Sequence, residues 1–467
     1  RPVYLRAHPD HLHRAKRSCF PAALLNDSRL KLLPPDLSPA RCFRFCETVM
    51  VGGSLLGMEA LLHGCKVITY GRPFFAGWGL TEDRTPAAKP RSRTLDLATL
   101  FEHAYLRYCH YFDPDTKEPC GLDTILDHLE RQFDTFRDNR GTTITYGLTP
   151  WNRRIAMAYF RSPGGNVEHC ASPEELTTKP RPDRVVLWGR KLPAPDGCAD
   201  VSLRIEDGFL RSRGLGAAFN YPFSWVVDHS GIYFDSTGPS DLETMLNTAD
   251  FSEAEKHEAQ CLIDTLLELR LTKYNLPTQD VTLDPAIVRG RKVILAPGQV
   301  EADASIAYGS HELKSNLALL RKIRAAEPDA FLLFKAHPDL VAATRHGNVL
   351  PPGYAETCDL AVTHGNIIDW LDLADEVHTM TSTVGFEALL RNKPVVTHGM
   401  PFYGGWGLTK DSLTCPRRTR RLTLVELVCG CLIRYPRYLD PITGEFTTAS
   451  KVATLLTRPD SKPTQGI

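Results

Sequence analysis

The chain has no excess of either charge, no long apolar run and no paired cysteine motif, and each absence removes a class of function. Lys plus Arg and Asp plus Glu both number 55 among 467 residues, so no global basic field marks a binder of nucleic acid or acidic lipid. No stretch approaches the ~18 consecutive apolar residues of a spanning helix, and the amino end lacks the charged-then-apolar pattern of a secretion signal. A cytoplasmic protein is therefore expected. The 13 cysteines are scattered without CxxC spacing, which argues against a disulfide framework or a structural zinc site and leaves them as core thiols. There is no HExxH and no His/carboxylate cluster at ligand spacing, so no catalytic metal is expected.

What the chain does have is a long passage written twice. Residues 54–83, "SLLGMEALLHGCKVITYGRPFFAGWGLTED", and residues 382–411, "STVGFEALLRNKPVVTHGMPFYGGWGLTKD", are identical at 17 of 30 positions. The correspondence extends outwards in the same order. "VYLRAHPD", from Val3, faces "LLFKAHPD" at 332–339, and "HYFDPDT" at 110–116 faces "RYLDPIT" at 437–443, with the offset staying near 328 residues. A constant offset over such a length is the mark of a repeated module, and it is far too long for a solenoid.

Each copy alternates strand and helix signals. In the second, "AFLLFKAHP", "HTMTS" and "PVVTHG" read as strands and "NIIDWLDLADEV" and "VGFEALLRNK" as helices, the pattern of a parallel doubly wound half-domain. Further strands are expected in "DRVVLWGR", "VSLRIEDGF", "SWVVDHSGIYFD" and "KVILAPGQ", with a helix near 252–272. Three regions follow: 1–137 as the later half of a first module, 138–285 as the first half of a second, and 286–467 as its second half. The polar "DNRGTTIT" near 138–145 is expected to link the modules. The opening "RPVYLRAHPD" reads as the inside of a strand, so the first copy is expected to be incomplete.

Several motifs fall at strand ends, where open α/β sheets bind ligands. "KAHPD" places Lys335, His337 and Pro338 after a buried strand, and its histidine suits a phosphate or a leaving group; a structural histidine at a strand end is the plain alternative. "TSTVGFEALL" sets Thr381, Ser382 and Thr383 at a helix start, an anion site by its free N–H groups, with Glu387 one turn inside and able to grip a ribose diol. Ordinary N-capping is the other reading. "RIEDGFLRSRG" puts Glu206 and Asp207 before a turn, with Arg211 suited to an anionic sugar. "APGQVEADASIAYG" brings Gln299, Glu301 and Asp303 to a loop at the junction of the two halves, where Asp303 either faces a ligand or caps a helix. The glycine loop "PFYGGWGLT" allows close backbone approach but has neither GxGxxG nor P-loop spacing.

Together "EDGFLRS" at 206–212, "PGQVEADASI" at 297–306, "KAHPD" at 335–339 and "STVGFEALLRNKPVVTHGMPFYGGWGLT" at 382–409 resemble the bacterial capsular polysaccharide β-Kdo transferases of the KpsC type. The resemblance implies an α/β GT-B fold of two Rossmann-like halves, here preceded by a half-module of the same kind. It implies a retaining transfer of Kdo from CMP-Kdo through a covalent aspartate intermediate. The acceptor would be a Kdo-terminated linker on a phosphatidylglycerol-type lipid, which places the protein at the inner membrane face with a capsule biosynthesis and export complex as partner. Neither cofactor, metal nor nucleic acid is implied. By position Asp303 would be the nucleophile, Glu206 the acid/base and His337 the group attending the leaving phosphate. Lys335, Pro338, Ser382, Thr383 and Glu387 would hold the CMP portion, and Asp207, Arg211, Gln299 and Glu301 the sugars. The competing readings are an inactive GT-B module that binds a nucleotide sugar or glycan, or another CMP-sugar transferase such as a sialyltransferase. The first copy has Gly53 and Leu55 where the second has Thr381 and Thr383, keeps Ser54, and matches His337 and Glu387 with His8 and Glu59. It is expected to be inactive.

Overall fold

The computed structural model describes residues 2–6, 27–34, 37–86, 91–214, 219–276, 281–338 and 353–458. His8, and Asp339 at the end of the 335–339 motif, lie outside them. The chain divides into two compact units, residues 1–113 with 118–125, and residues 114–117 with 126–467.

In the first unit β1 (Val3–Leu5) and β2 (Leu30–Leu32) pair in parallel, and β3 (Thr48–Val51), β4 (Lys66–Thr69) and β5 (Glu82–Asp83) make a parallel sheet. The helix Leu56–Leu62 connects β3 to β4, and its inward Met58 packs with Val67, Phe75 and Leu100 in one apolar cluster. β6 (Tyr111–Phe112) and β7 (Pro119–Cys120) form a hairpin.

The second unit has two sheets. In the first, β8 (Thr142–Tyr146), β9 (Asn166–Cys170), β10 (Arg184–Trp188) and β11 (Ser202–Asp207) run parallel in the order β9-β8-β10-β11, and β12 (Ser224–Asp228) lies antiparallel beside β11. The second comprises β13 (Val293–Pro297), β14 (Phe331–Lys335), β15 (Leu360–Val362), β16 (Glu376–Thr379), β17 (Val395–Thr397) and β18 (Lys410–Asp411). All are parallel, in the order β15-β14-β13-β16-β17-β18. Both faces are covered by helices, so β13 and β14 are buried along their whole length, as parallel strands must be. The strand order reverses between β13 and β16, which makes the carboxyl ends of those two strands the place where such sheets open a crevice.

Two expectations on boundaries shift. The polar 138–145 segment is not a linker: the helix Leu122–Asp138 runs up to it, and Thr142–Tyr146 is a strand whose Thr143, Ile144 and Thr145 are buried. Threonine is β-branched and suits a strand, and its hydroxyls find partners here. Thr145 donates to the Glu168 carbonyl at 3.1 Å, and Arg184 donates to the Thr143 hydroxyl at 3.0 Å. Nor does 286–467 stay in one half. β19 (Pro436–Leu439) returns to pair antiparallel with β12, and β20 (Phe446–Thr447) extends that first sheet. Alternating polarity could not reveal this, because the pairing is non-local.

The repeated passage repeats in structure. Asp411 accepts the hydroxyls of Thr397 at 2.7 Å and Thr409 at 2.6 Å, and the Gly405 N–H at 2.8 Å. Asp83 accepts Thr69, Thr81 and the Gly77 N–H at the same three distances. Gly405 and Gly77 take φ of 80° and 81°, a region that disfavours any residue with a Cβ, so the shared "GWGLTxD" fixes one strained turn twice. The surroundings of the two turns differ. Met50, Tyr70 and Phe74 are 64%, 58% and 41% exposed, whereas their counterparts His378, His398 and Phe402 are at most 5% exposed.

The return of the chain is directly testable. Leu439 in β19 is fully buried and its counterpart in the first copy, Phe112, is 57% exposed. Leu439→Ala should lower stability by about 2–5 kcal/mol, as for other large-to-small core changes, and Phe112→Ala by well under that. Equal shifts of the urea midpoint in the two variants would contradict the placement of β19.

Candidate active site

The site forms where the carboxyl ends of the two sheets of the second unit meet. On the first sheet, β11 ends in Glu206 and Asp207, and successive strand residues face opposite ways, so the two acids have different fates. Asp207 accepts from Arg211 Nε at 2.5 Å. Arg211 is itself buried and also donates to the Ser212 hydroxyl and the Asn220 carbonyl. It is committed to holding the turn after β11 and is not open to an anionic sugar. Glu206 has no ion pair among the described residues. Its Oε1 accepts the Asp207 N–H at 3.1 Å, and its Oε2 lies over Gly189, where a Cβ would come within 3.0 Å. Burial, reinforced by the negative charge of Asp207 and then of Asp303, pushes the Glu206 carboxyl up to about 8, against an opposing pull from Lys273. At neutral pH it is mostly protonated.

Lys273 is the residue that the sequence did not single out. It follows the helix Glu253–Glu268 in "LTKYN", a stretch without any spacing signal. Its carbonyl accepts the N–H groups of Arg211 at 3.1 Å and Ser212 at 3.3 Å, and its own N–H goes to Glu387 Oε1 at 3.0 Å. Burial alone would lower the pKa of its ammonium, but Tyr233, Tyr274, Asp207 and Glu206 around it outweigh that and raise it. Lys273 therefore stays charged beside Glu206.

On the second sheet, the loop after β13 carries Gln299, Glu301 and Asp303. Gln299 is buried and spans the switch point: its Nε2 donates to the Thr381 hydroxyl at 3.0 Å and its Oε1 accepts the Thr381 N–H at 3.0 Å. Glu301 accepts the Asn316 N–H at 2.8 Å. Both act as braces of the crevice. Asp303 is exposed at the N-cap of the helix Ala304–Gly309, with one oxygen fixed by the Ser305 N–H at 2.8 Å; such a cap stabilises the helix start. After β14, Lys335 is buried and donates to the carbonyls of Ala336 at 3.1 Å and Thr363 at 3.2 Å, burial pulling its ammonium down to about 8. His337 and Pro338 are half-buried just beyond it. After β16, the Ser382 hydroxyl accepts the Val384 N–H at 3.2 Å, and Thr383 starts the helix Val384–Leu390 without a side-chain cap. Glu387, placed in the sequence reading at a ribose diol, is buried, with its carboxyl pushed up by burial and one oxygen holding Lys273.

The fold thus brings Glu206, Lys273 and Asp303 together at the meeting of the two sheets, with His337, Pro338, Ser382 and Thr383 along the crevice of the second. Among the described residues no group of His, Cys, Asp or Glu is placed to hold a metal ion, and no helix is long and apolar enough to cross a membrane.

Two Rossmann-like halves facing one another across such a crevice define a glycosyltransferase fold of the GT-B type. The chain belongs to the family described as capsule polysaccharide biosynthesis protein, whose model matches residues 2–111 and 185–438. It is 38% identical to the capsule polysaccharide modification protein LipA of Neisseria meningitidis over 98% of its own length and 66% of LipA, so it spans just under two thirds of that relative. It is 37% identical to the lipopolysaccharide-processing protein LpsZ of Rhizobium meliloti over 63% of this chain and 69% of LpsZ. Among solved structures, the β-Kdo 2,7 transferase of Thermosulfurimonas dismutans KpsC superposes with a TM-score of 0.56 at 34% identity. It covers 68% of this chain and 98% of that one. The β-Kdo 2,4 transferase of the same protein gives 0.56 at 28% identity, covering 67% and 97%.

The Glu206 shift makes a prediction about stability. The folded state keeps a proton on Glu206 up to about pH 8, whereas an unfolded glutamate loses it near 4.5; folded protein therefore binds more protons in that window, and stability falls as pH rises through it. Glu206→Gln removes this penalty. Its melting temperature should match the parent near pH 4.5 and exceed it by a growing margin up to pH 8. A constant difference across that range would contradict a buried, protonated Glu206.

Proposed function

We propose that the second unit is a retaining glycosyltransferase that moves Kdo from CMP-Kdo to a Kdo-terminated glycolipid linker in capsule biosynthesis. The observation that carries this reading is the meeting of a mostly protonated Glu206, the Lys273 ammonium and the Asp303 carboxylate between two Rossmann-like halves. The 34% identity to a β-Kdo transferase over 98% of that chain supports the donor class. Asp303 attacks the anomeric carbon as the bond to the CMP phosphate breaks and its electron pair leaves on phosphate oxygen. His337 and the helix start at Ser382 and Thr383 receive that charge. The acceptor hydroxyl then attacks the anomeric carbon, whose bond to the Asp303 oxygen breaks with the electron pair returning to the carboxylate, and the hydroxyl proton goes to the Glu206 carboxylate; two inversions at that carbon amount to retention. A carboxylate of pKa about 8 is a stronger base than an ordinary one. The chemistry requires no cofactor or metal step. The lipid-linked acceptor puts the protein at the inner membrane face, alongside the capsule export machinery. The first copy offers Gly53 and Leu55 in place of Thr381 and Thr383, so turnover is assigned to the second.

Incubation with CMP-Kdo and a Kdo-terminated lipid mimic should give an elongated product and free CMP, with a rate that climbs as pH is raised through about 8. Asp303→Ala should abolish transfer while CMP still binds. Glu206→Gln, unable to take the acceptor proton, should accumulate a form one Kdo heavier by intact mass. Full activity in Asp303→Ala would refute the double displacement, and binding of CMP-Kdo without turnover by the parent would make the protein a sugar-nucleotide binder instead. His337→Ala should weaken CMP binding by about 1–3 kcal/mol, the cost of removing one partner of a charged group, and calorimetry showing no change would remove it from the phosphate site.

A further inference from the structure

A 2-keto sugar acid carries its carboxylate directly on the anomeric carbon, so whatever group recognises that carboxylate must stand beside the reacting carboxyls. Arg211, the arginine the sequence suggests for an anion, is buried and turned inward, its Nε paired with Asp207 and its Nη1 donating to Ser212 and Asn220. A different arginine is in position. β10 ends in Trp188, and the next residue, Gly189, lies with its backbone against Glu206 Oε2, a Cβ there coming within 3.0 Å. Gly189 takes a φ of 45°, and that turn delivers Arg190 beside the acid/base. The turn is locked from the Glu206 side. Arg204, two residues before Glu206 and therefore on the same face of β11, donates from Nη1 to the carbonyls of Gly189 at 2.5 Å and Leu192 at 3.1 Å.

Arg190 is itself half-open. Its Nε meets Asp235 Oδ2 at 3.0 Å, its side chain is 36% exposed, and its guanidinium lies 5.3 Å over the ring of Tyr308. Tyr308 belongs to the helix Ala304–Gly309, whose N-cap is Asp303. One arginine thus bridges the half that holds Glu206 and the helix that holds Asp303. Asp235 is tied by its other oxygen to the Thr237 N–H at 2.9 Å and hydroxyl at 2.5 Å, so it anchors the guanidinium along one edge. The terminal Nη1 and Nη2 edge makes no hydrogen bond among the described residues. A planar fork held on one edge and open on the other is the geometry that takes a carboxylate through two parallel hydrogen bonds.

We infer that Arg190, held by Asp235 and Tyr308 with its turn fixed by Arg204, is the subsite for the carboxylate of a 2-keto sugar-acid donor. This rests on the proposed transferase reading and adds the residue that selects the donor sugar from its neutral analogues. The nucleotide contacts proposed above lie elsewhere, along the second sheet, so the two should separate.

The test compares parent, Arg190→Gln and Arg190→Lys with two probes, CMP alone and CMP-Kdo. Arg190→Gln should raise the KM for CMP-Kdo at least tenfold, with the inhibition constant of CMP unchanged within twofold. Arg190→Lys, which keeps the charge and the Asp235 pair but not the fork, should fall between. Because loss of Arg190 leaves Asp235 buried without its partner, the double variant Arg190→Gln/Asp235→Asn, matched to the parent in thermal unfolding, should show the same selective loss. Equal weakening of CMP and CMP-Kdo, or an unchanged KM in all three variants, would overturn the inference. A parent that turns over a different CMP-linked 2-keto sugar acid would refute the Kdo assignment alone, and the same comparison with that donor then decides Arg190. A parent that binds no such donor overturns both.

Discussion

One hydrogen bond inside the second unit sets how the ends of its two sheets meet: Glu387 Oε1 accepting the backbone N–H of Lys273. Glu387 sits on the helix after β16, in the second sheet, and is buried. The residue it grips also offers its own carbonyl, which takes the N–H groups of Arg211 and Ser212 after β11. A buried carboxylate must be satisfied or it costs several kcal/mol, so this single acceptor ties the end of one sheet to the turn that ends the other. Lys273 is placed beside Glu206 as a result, and the crevice has a fixed floor.

Around that floor charge is arranged at some cost in stability. Glu206 is kept from ionising by burial and by two acids, against the opposing pulls of the Asp207 N–H and of Lys273. A carboxyl held protonated in this way weakens the folded state above its ordinary pKa, and perturbed groups of this kind cluster where proton transfer is needed. The braces around it are ordinary: Gln299 closes the switch point, Glu301 holds Asn316, and Glu243 receives both Arg417 and Arg418. In each of these the polar or charged group is met by a partner in place.

The two copies separate what the repeat preserves from what it lets change. The Asp83 and Asp411 turns agree in partners and distances, since a strained glycine loop tolerates little substitution. The positions facing outward from it do not agree. Where the second copy has the buried pair His378 and His398, linked Nδ1 to Nε2 at 3.2 Å and continued to Glu376 at 2.6 Å, the first has the exposed Met50 and Tyr70. The same local sequence pattern thus makes the same turn on two different backgrounds.

The sequence alone determined the local alternation of strand and helix, the repeated passage, and the strand-end motifs that hold Glu206, Asp303 and His337, because hydrophobic period and glycine turns are written within a few residues. It also placed a polar linker where Thr142–Tyr146 is a buried strand, since threonine satisfied by Glu168 and Arg184 looks no different in sequence from threonine facing water. Only the tertiary structure decided which of the two adjacent acids is ion-paired, that Arg211 is consumed internally while Arg190 stays open, and that β19 crosses back to β12. It alone brought in Lys273, 67 residues from Glu206 along the chain and carrying no motif. Each of these depends on burial and on partners distant in sequence, and both are properties of the packed chain that no local window contains.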